Sequence, residues 1–301
     1  MPSRLLGGLL LLVVAGCTSY SGVVEFNAYR DAFVTTEQTS DGILDKLAVA
    51  ERDLFKLCAN RQRISSSADC AEFDPEIDSF HAEDAPFIAS VGDPPATAAF
   101  RRMIKAVRAY SDALNGLANG ATAESMASKM SELAGLGTSA ASAIAGDAGA
   151  AGGPVGAGVV TAAATSVNTA VAAFKPIATA FLGFRARSVF REELQARAPD
   201  IRRAMEKARD GSEVIFQALQ DQIVLGTDDE LTDRDRQQIL ANRQLLANWV
   251  VMLDKSITAF DVAVAASGGE GEGSFTGLLQ VSQDLNAAAV AARRNLAGAT
   301  N

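Results

Sequence analysis

An all-α bundle of about six or seven long helices, with heptad-like seams and no sheet, is the fold this 301-residue chain predicts. Three observations carry that prediction. Apolar residues recur at three-four spacing through most of the chain, the period of a helix with one buried stripe. No alternating apolar-polar run is long enough to make a strand. Glycine- and proline-bearing breaks separate the periodic stretches, as helix ends require.

Each element follows from its own pattern. Phe26, Tyr29, Phe33, Ile43, Leu47, Leu54 and Leu57 form the first stripe, interrupted by polar Thr36 and Ser40 and by an expected kink near Gly42. Strict seams of this kind imply long helices packed side by side. Residues 59–97 lose the period, carry turn residues and read as a long connection. Asp93-Pro94-Pro95 then opens a helix, with Asp93 as the expected cap and proline in the first turn. Its stripe is Phe100, Met103, Val107, Tyr110, Leu114 and Leu117, and Gly120 ends it. A third helix carries Met126, Met130 and Leu133. After the glycine-rich break GDAGAAGGPVGAG at 146–158, a long helix presents Val160, Val167, Phe174, Ile177, Phe181 and Phe184, with a kink expected at Pro176. Pro199 marks the next boundary, and Ile201, Met205, Ile215 and Leu219 continue the pattern. The acidic turn GTDDELTDRD offers Thr232 as a cap for a helix with Ile239, Leu246, Trp249, Leu253, Ile257 and Phe260. SGGEGEGS reads as a loop, and the last helix bears Phe275, Leu278, Leu285, Ala289, Ala292 and Leu296.

The N-terminus is a different kind of sequence. Arg4 precedes the apolar run Leu5 to Val14, followed by small Ala15 and Gly16 and then Cys17. A positive start, a short apolar core and a small-residue cleavage site make a secretory signal. The run is too short for a bilayer-spanning helix, which needs about 20 apolar residues. Val14-Ala15-Gly16-Cys17 resembles the lipobox of bacterial lipoproteins. That resemblance implies cleavage after residue 16, a diacylglycerol on the Cys17 thiol and acylation of its new amino group. It also implies an anchor and short linker at 17–21 and a helical domain at 22–301. By the sorting rule of proteobacterial lipoproteins, Thr18 in place of Asp implies the periplasmic face of the outer membrane. The expected partner is thus the lipid bilayer, through acylated Cys17.

Charge narrows the other partners. Without Arg4 the mature chain holds 26 Lys and Arg against 36 Asp and Glu, a net charge near −10. Such a surface repels phosphate backbones, so nucleic acid is not an expected partner, and anionic headgroups are disfavoured for the same reason. Besides Cys17 there are two cysteines, Cys58 and Cys70. In an oxidising compartment they are expected to form a disulfide that pins the 59–97 connection. The chain-entropy model gives a bridge closing so short a loop roughly 3 kcal/mol.

Motifs for chemistry are few. The segment 69–93 holds eight acids, Asp69, Glu72, Asp74, Glu76, Asp78, Glu83, Asp84 and Asp93, and neither Lys nor Arg. Asp74, Glu76 and Asp78 alternate as calcium ligands can, but the glycine and the later glutamate of an EF-hand do not follow. The expectation is a solvated acidic loop, with no metal site. The single histidine, His81, cannot build a multi-histidine centre and has no evident relay partner. SGGEGEGS and GGPVGAG lack the Lys and Ser/Thr of a phosphate loop. No nucleophile or zinc motif is present. The reading is therefore a non-enzyme without catalytic residues or cofactor.

One stretch stands apart. From Leu133 to Phe184 only Asp147 and Lys175 are charged, in a run of Ala, Gly, Ser, Thr and Val. Small residues let helix backbones approach closely, so an Ala/Gly-rich hairpin buried in the bundle is expected. The alternative is membrane entry: the organisation is similar to one-component α-helical pore-forming toxins, in which long helices carry an apolar head. The function expected is that of a membrane-anchored periplasmic helical lipoprotein with a structural or partner-binding role in the cell envelope, meeting an envelope protein or a second copy through its helical surfaces. The alternative function is a membrane-perturbing or pore-forming protein using 133–184.

Overall fold

A computed structural model of the chain describes residues 23–62, 85–89, 91–121, 187–227, 230–268 and 271–298, with five further positions between 125 and 136. The helices are α1 (Val23–Gln62), α2 (Ala85–Ile88), α3 (Pro95–Ala118), α4 (Arg187–Asp210), α5 (Ser212–Leu225), α6 (Asp233–Ser267) and α7 (Gly271–Gly298). There is no strand among the described residues. The predicted all-α bundle is the fold observed.

The stripes read from the sequence are the core. Tyr29, Ile43, Leu47, Phe100, Met103, Tyr110, Leu114, Ile201, Ile215, Trp249, Leu278 and Leu285 are fully buried in one continuous cluster. Withdrawing each large apolar side chain from water contributes roughly 1.5–3 kcal/mol before the entropy of ordering it. Aromatic pairs fasten neighbouring helices edge to face: Phe100 with Trp249 at 6.1 Å between centroids, Phe26 with Phe275 at 6.5 Å.

Cross-links between helices give the topology. Tyr29 meets Ser111 and Glu51 meets Ala96, so α3 runs antiparallel to α1. Arg209–Asp254 and Arg202–Asp261 ion pairs set α4 antiparallel to α6. Lys255–Asp284 does the same for α6 and α7. Phe26–Phe275 and the Thr39 hydroxyl bonded to the Ala289 carbonyl set α7 parallel to α1. The helices therefore close a ring, α1–α3–α4–α6–α7 and back to α1. One end, the base, gathers the start of α1, the end of α3, the start of α4, the end of α6 and the start of α7. The other, distal end holds the end of α1, the start of α3, all of α5 and the start of α6.

Several boundaries differ from the sequence reading. α4 runs through Pro199 instead of stopping there. Pro199 is exposed, so the carbonyl it leaves without an intrahelical partner is on the solvated side. α1 runs as one helix through Gly42 and continues to Gln62, and α3 starts at Pro95, so the 59–97 connection is shorter than expected at both ends. The loop read in SGGEGEGS is shorter too, because α7 already includes Gly271 to Ser274. Propensity is a weak prior once the next turns, Phe275 and Leu278, are held in the core. A break the sequence reading lacked occurs at Gly211, between α4 and α5.

The caps are informative. Thr232 caps α6 as expected, in a capping box with Asp235: the Asp235 N–H donates to the Thr232 hydroxyl, and the Thr232 N–H donates to the Asp235 carboxylate at 2.9 Å. Gly120 ends α3 with φ +70°, and the Ala121 N–H returns to the Gly116 carbonyl at 2.8 Å, a left-handed cap that suits glycine. Asp93, however, does not cap α3. It lies 3.0 Å from Arg101 instead, in a cluster that brings Asp41 and Asp45 of α1 onto the same guanidinium. The cap comes from α1. Buried Glu51 accepts from the N–H groups of Ala96 (3.1 Å) and Thr97 (2.9 Å) and from the Thr97 hydroxyl (2.6 Å).

Candidate functional site

Polar groups buried along the bundle axis come first, because an unsatisfied one would point to chemistry. The Ser111 hydroxyl donates to the Val107 carbonyl, which leaves its oxygen to accept from Tyr29 at 3.1 Å. Tyr110 donates to the Leu194 carbonyl across α3 and α4. Burial pushes both phenols up, away from ionisation. Trp249 Nε1 donates to Ser40, and the Thr36 hydroxyl to the Ala32 carbonyl. The polar interruption of the first stripe thus supplies partners to the core. The Tyr29, Tyr110 and Trp249 bonds tie neighbouring helices together, whereas that of Thr36 stays within α1.

The concave surface lies at the distal end. α7 ends at Gly298 and leaves Leu296 against Gly42, while α1 continues for 20 more residues. Beyond that point, among the described residues, α1, α5 and α6 stand without a fourth helix between α1 and α6. The cleft so formed is about 850 Å3. Val49, Leu219, Ile223 and Leu296 give it apolar walls; Asp45, Lys46, Gln238 and Asn242 give it a polar rim. Gly226 and Thr227 close one side, where the Gly226 N–H returns to the Gln222 carbonyl and the Thr227 hydroxyl to that of Ile223. Gln222 reaches across to Asp53 of α1 at 2.6 Å and ties α5 to α1. Val49 is half exposed, unusual for valine midway along a packed helix.

Local sequence explains the opening. α5 reaches α1 only because the chain breaks at Gly211, directly over Phe100. A Cβ at Gly211 would lie 2.5 Å from the Phe100 ring. The break lets α5 pass over the start of α3 and take its place beside α1.

Most of the residues singled out from sequence lie outside the described residues. Cys58 lies in α1, four residues before its end at Gln62. Cys17, Cys70, His81 and the acids from Asp69 to Asp84 lie outside the described residues, as does the hairpin from 137 to 184. Leu136, on its leading flank, packs against the core cluster. Among the described residues no group of three or more His, Cys, Asp or Glu could hold a metal ion, and no described helix is long and apolar enough to cross a membrane. Sequence reasoning missed the cleft. Its signal was a mismatch of lengths: the first stripe runs on to Leu57, whereas its parallel neighbour has its last stripe residue, Leu296, at the level of Gly42.

Known proteins add nothing to this geometry: no family model matches the chain, and no curated protein and no solved structure matches it.

Proposed function

We propose that this is a lipid-anchored protein of the bacterial cell envelope, a helical bundle tethered through Cys17 that offers a partner-binding surface at its distal end and carries out no reaction. The observation that carries this reading is Val14-Ala15-Gly16-Cys17 directly behind the apolar run Leu5 to Val14. Two acyl chains suffice for stable attachment, since each buried methylene contributes about 0.8 kcal/mol. The bundle supports the reading in two ways. Its buried hydroxyls are bonded within their own helix or across to a neighbour, and the open cleft between α1, α5 and α6 has the apolar walls and polar rim of a surface that receives another element. The packing of Leu136 favours the hairpin buried in the bundle over one that enters the bilayer. The site of action is the periplasmic face of the outer membrane, on the strength of Thr18, and Cys58–Cys70 is the bridge that steadies the distal connection.

The test is at Cys17. Cells fed labelled palmitate should incorporate it into the wild-type chain and not into Cys17→Ser, which should leave the membrane fraction. Equal labelling of both chains would refute the anchor.

A further inference from the structure

The distal cleft is walled by α1, α5 and α6 and floored by the end of α7, where Leu296 meets Gly42. At about 850 Å3 it falls within the range of small-molecule sites, roughly 300–1,000 Å3, and helix bundles hold such sites between their helices. Val49, Leu219, Ile223 and Leu296 supply the apolar contact.

The polar lining is mostly spent on the protein itself. The Gln222 amide nitrogen donates to Asp53, the Thr227 hydroxyl donates to the Ile223 carbonyl, and the Asp235 carboxylate accepts from Thr232. Asp45 accepts from Arg101 on the flank of the bundle. Asn242 is the exception. It is only 4% exposed, in the wall that α6 gives to the cleft. Its carboxamide oxygen accepts from Gln238 at 3.4 Å, and among the described residues its amide nitrogen donates to nothing. A buried donor left unpaired is unfavourable, and the cleft is the space that lies before it. A molecule that fits therefore sets an apolar body against the four side chains and an acceptor oxygen on Asn242. Charge selects further. No arginine lines the cleft, and the lining carries Asp45 and Asp235 against Lys46. A carboxylate or phosphate would find no guanidinium fork there and would give up its hydration against apolar walls.

We propose that the cleft binds a small neutral molecule with an apolar body and a carbonyl or amide oxygen, which accepts a hydrogen bond from the Asn242 amide nitrogen. This rests on the distal cleft of the reading above and not on its anchor at Cys17.

The probe is adamantane-1-carboxamide, titrated by calorimetry into the full acylated chain in lipid nanodiscs, with empty nanodiscs as the blank. Adamantane-1-carboxylate, of the same shape, tests the charge, and the blocked dipeptide acetyl-leucyl-leucine amide tests a partner's chain. Val49→Trp fills the cleft from a half-exposed position, and Asn242→Leu removes the donor at nearly constant volume. Val251→Trp, half-exposed midway along α6 and outside the cleft lining, is the control. Fluorescence of Trp249 shows whether Asn242→Leu is folded; if it is not, Val49→Trp and the carboxylate decide. The carboxamide should saturate one site, and the carboxylate should bind at least about ten-fold more weakly. Kd for the carboxamide should rise about ten-fold in Asn242→Leu, as loss of one hydrogen bond implies. Binding should vanish in Val49→Trp and stay unchanged in Val251→Trp. The absence of saturable binding would overturn the site, because the cleft is then closed or filled by the chain itself. Equal affinity for the carboxylate, or a Kd unchanged in Val49→Trp and in Asn242→Leu, would overturn it too. Binding of the dipeptide without binding of the carboxamide would give the cleft to a partner's chain: the partner-binding reading would stand and the small-molecule site would fall.

Discussion

Glu51 is the residue whose role departs furthest from its type. An acid this buried ordinarily needs a cation; here it takes the two N–H groups that a serine or aspartate in the cap position would have taken. Pro94 precedes the helix and has no side-chain group to offer, so α3 has no cap of its own. Burial pushes the Glu51 carboxyl up, opposed by the bonds from Thr97 and Ala96. Glu51→Ala leaves two buried donors unpaired and should cost about 1–3 kcal/mol in urea unfolding. Glu51→Gln keeps one carbonyl acceptor and should cost less. Trp249, the single tryptophan and fully buried, reports the transition by its fluorescence. Equal stability of wild type and Glu51→Ala would show that α3 needs no cap from α1. None of this was legible in the sequence. A contact between residues 45 positions apart leaves no local pattern, and Asp93 sat where a local cap belongs.

At the scale of elements, the joint between α4 and α5 rests on one missing methyl group. Gly211 has φ −64° and ψ −11°, values any residue adopts, so its reason for being glycine is the Phe100 ring and not the backbone. Phe100 is fully buried and cannot swing aside, in contrast to Leu296, which faces Gly42 from the edge of the cleft. Gly211→Ala gains helix propensity yet should lose about 1–3 kcal/mol to over-packing. In the double mutant with Phe100→Leu, part of that loss should return; strictly additive effects would disprove the coupling. Element positions were largely readable beforehand. Every stripe residue named for α3 is buried, because a helix packed on one side writes its period into the chain. Ends were less readable. Pro199 looked like a stop and lies inside α4, since an exposed proline can be carried by tertiary packing; Gly271 to Ser274 looked like a loop and opens α7. The cleft was unreadable in any one stretch, because it arises from where two helices end relative to each other.

The whole molecule should respond to acid in a definite sense. Burial raises Glu51, Glu37, Asp221 and Asp261 above their ordinary values. A carboxyl with a raised folded pKa contributes stability that is present below its unfolded value and lost as pH rises through the folded one. The Thr232 hydroxyl holds Asp235 below the usual range, so its contribution is present above the unfolded value and lost as pH falls through the folded one. Melting temperature should therefore rise as pH drops from neutrality through the raised values of these buried carboxyls, then fall at more acid pH as the α6 capping box is protonated. A curve that declines steadily from neutrality would contradict the raised group. The ring closure has a consequence of another kind, for the timing of folding. The first and last helices are parallel neighbours, with Phe26 against Phe275 and Gly42 against Leu296. Contacts that span nearly the whole chain form late. On the proposed export route the chain enters the membrane channel with its N-terminus leading, and α1 has no α7 to close against until the last residues have followed. The seam therefore delays completion of the core and keeps the precursor loose enough to thread. On that route the native bundle would be completed only on the far side, once α7 had followed α1 through.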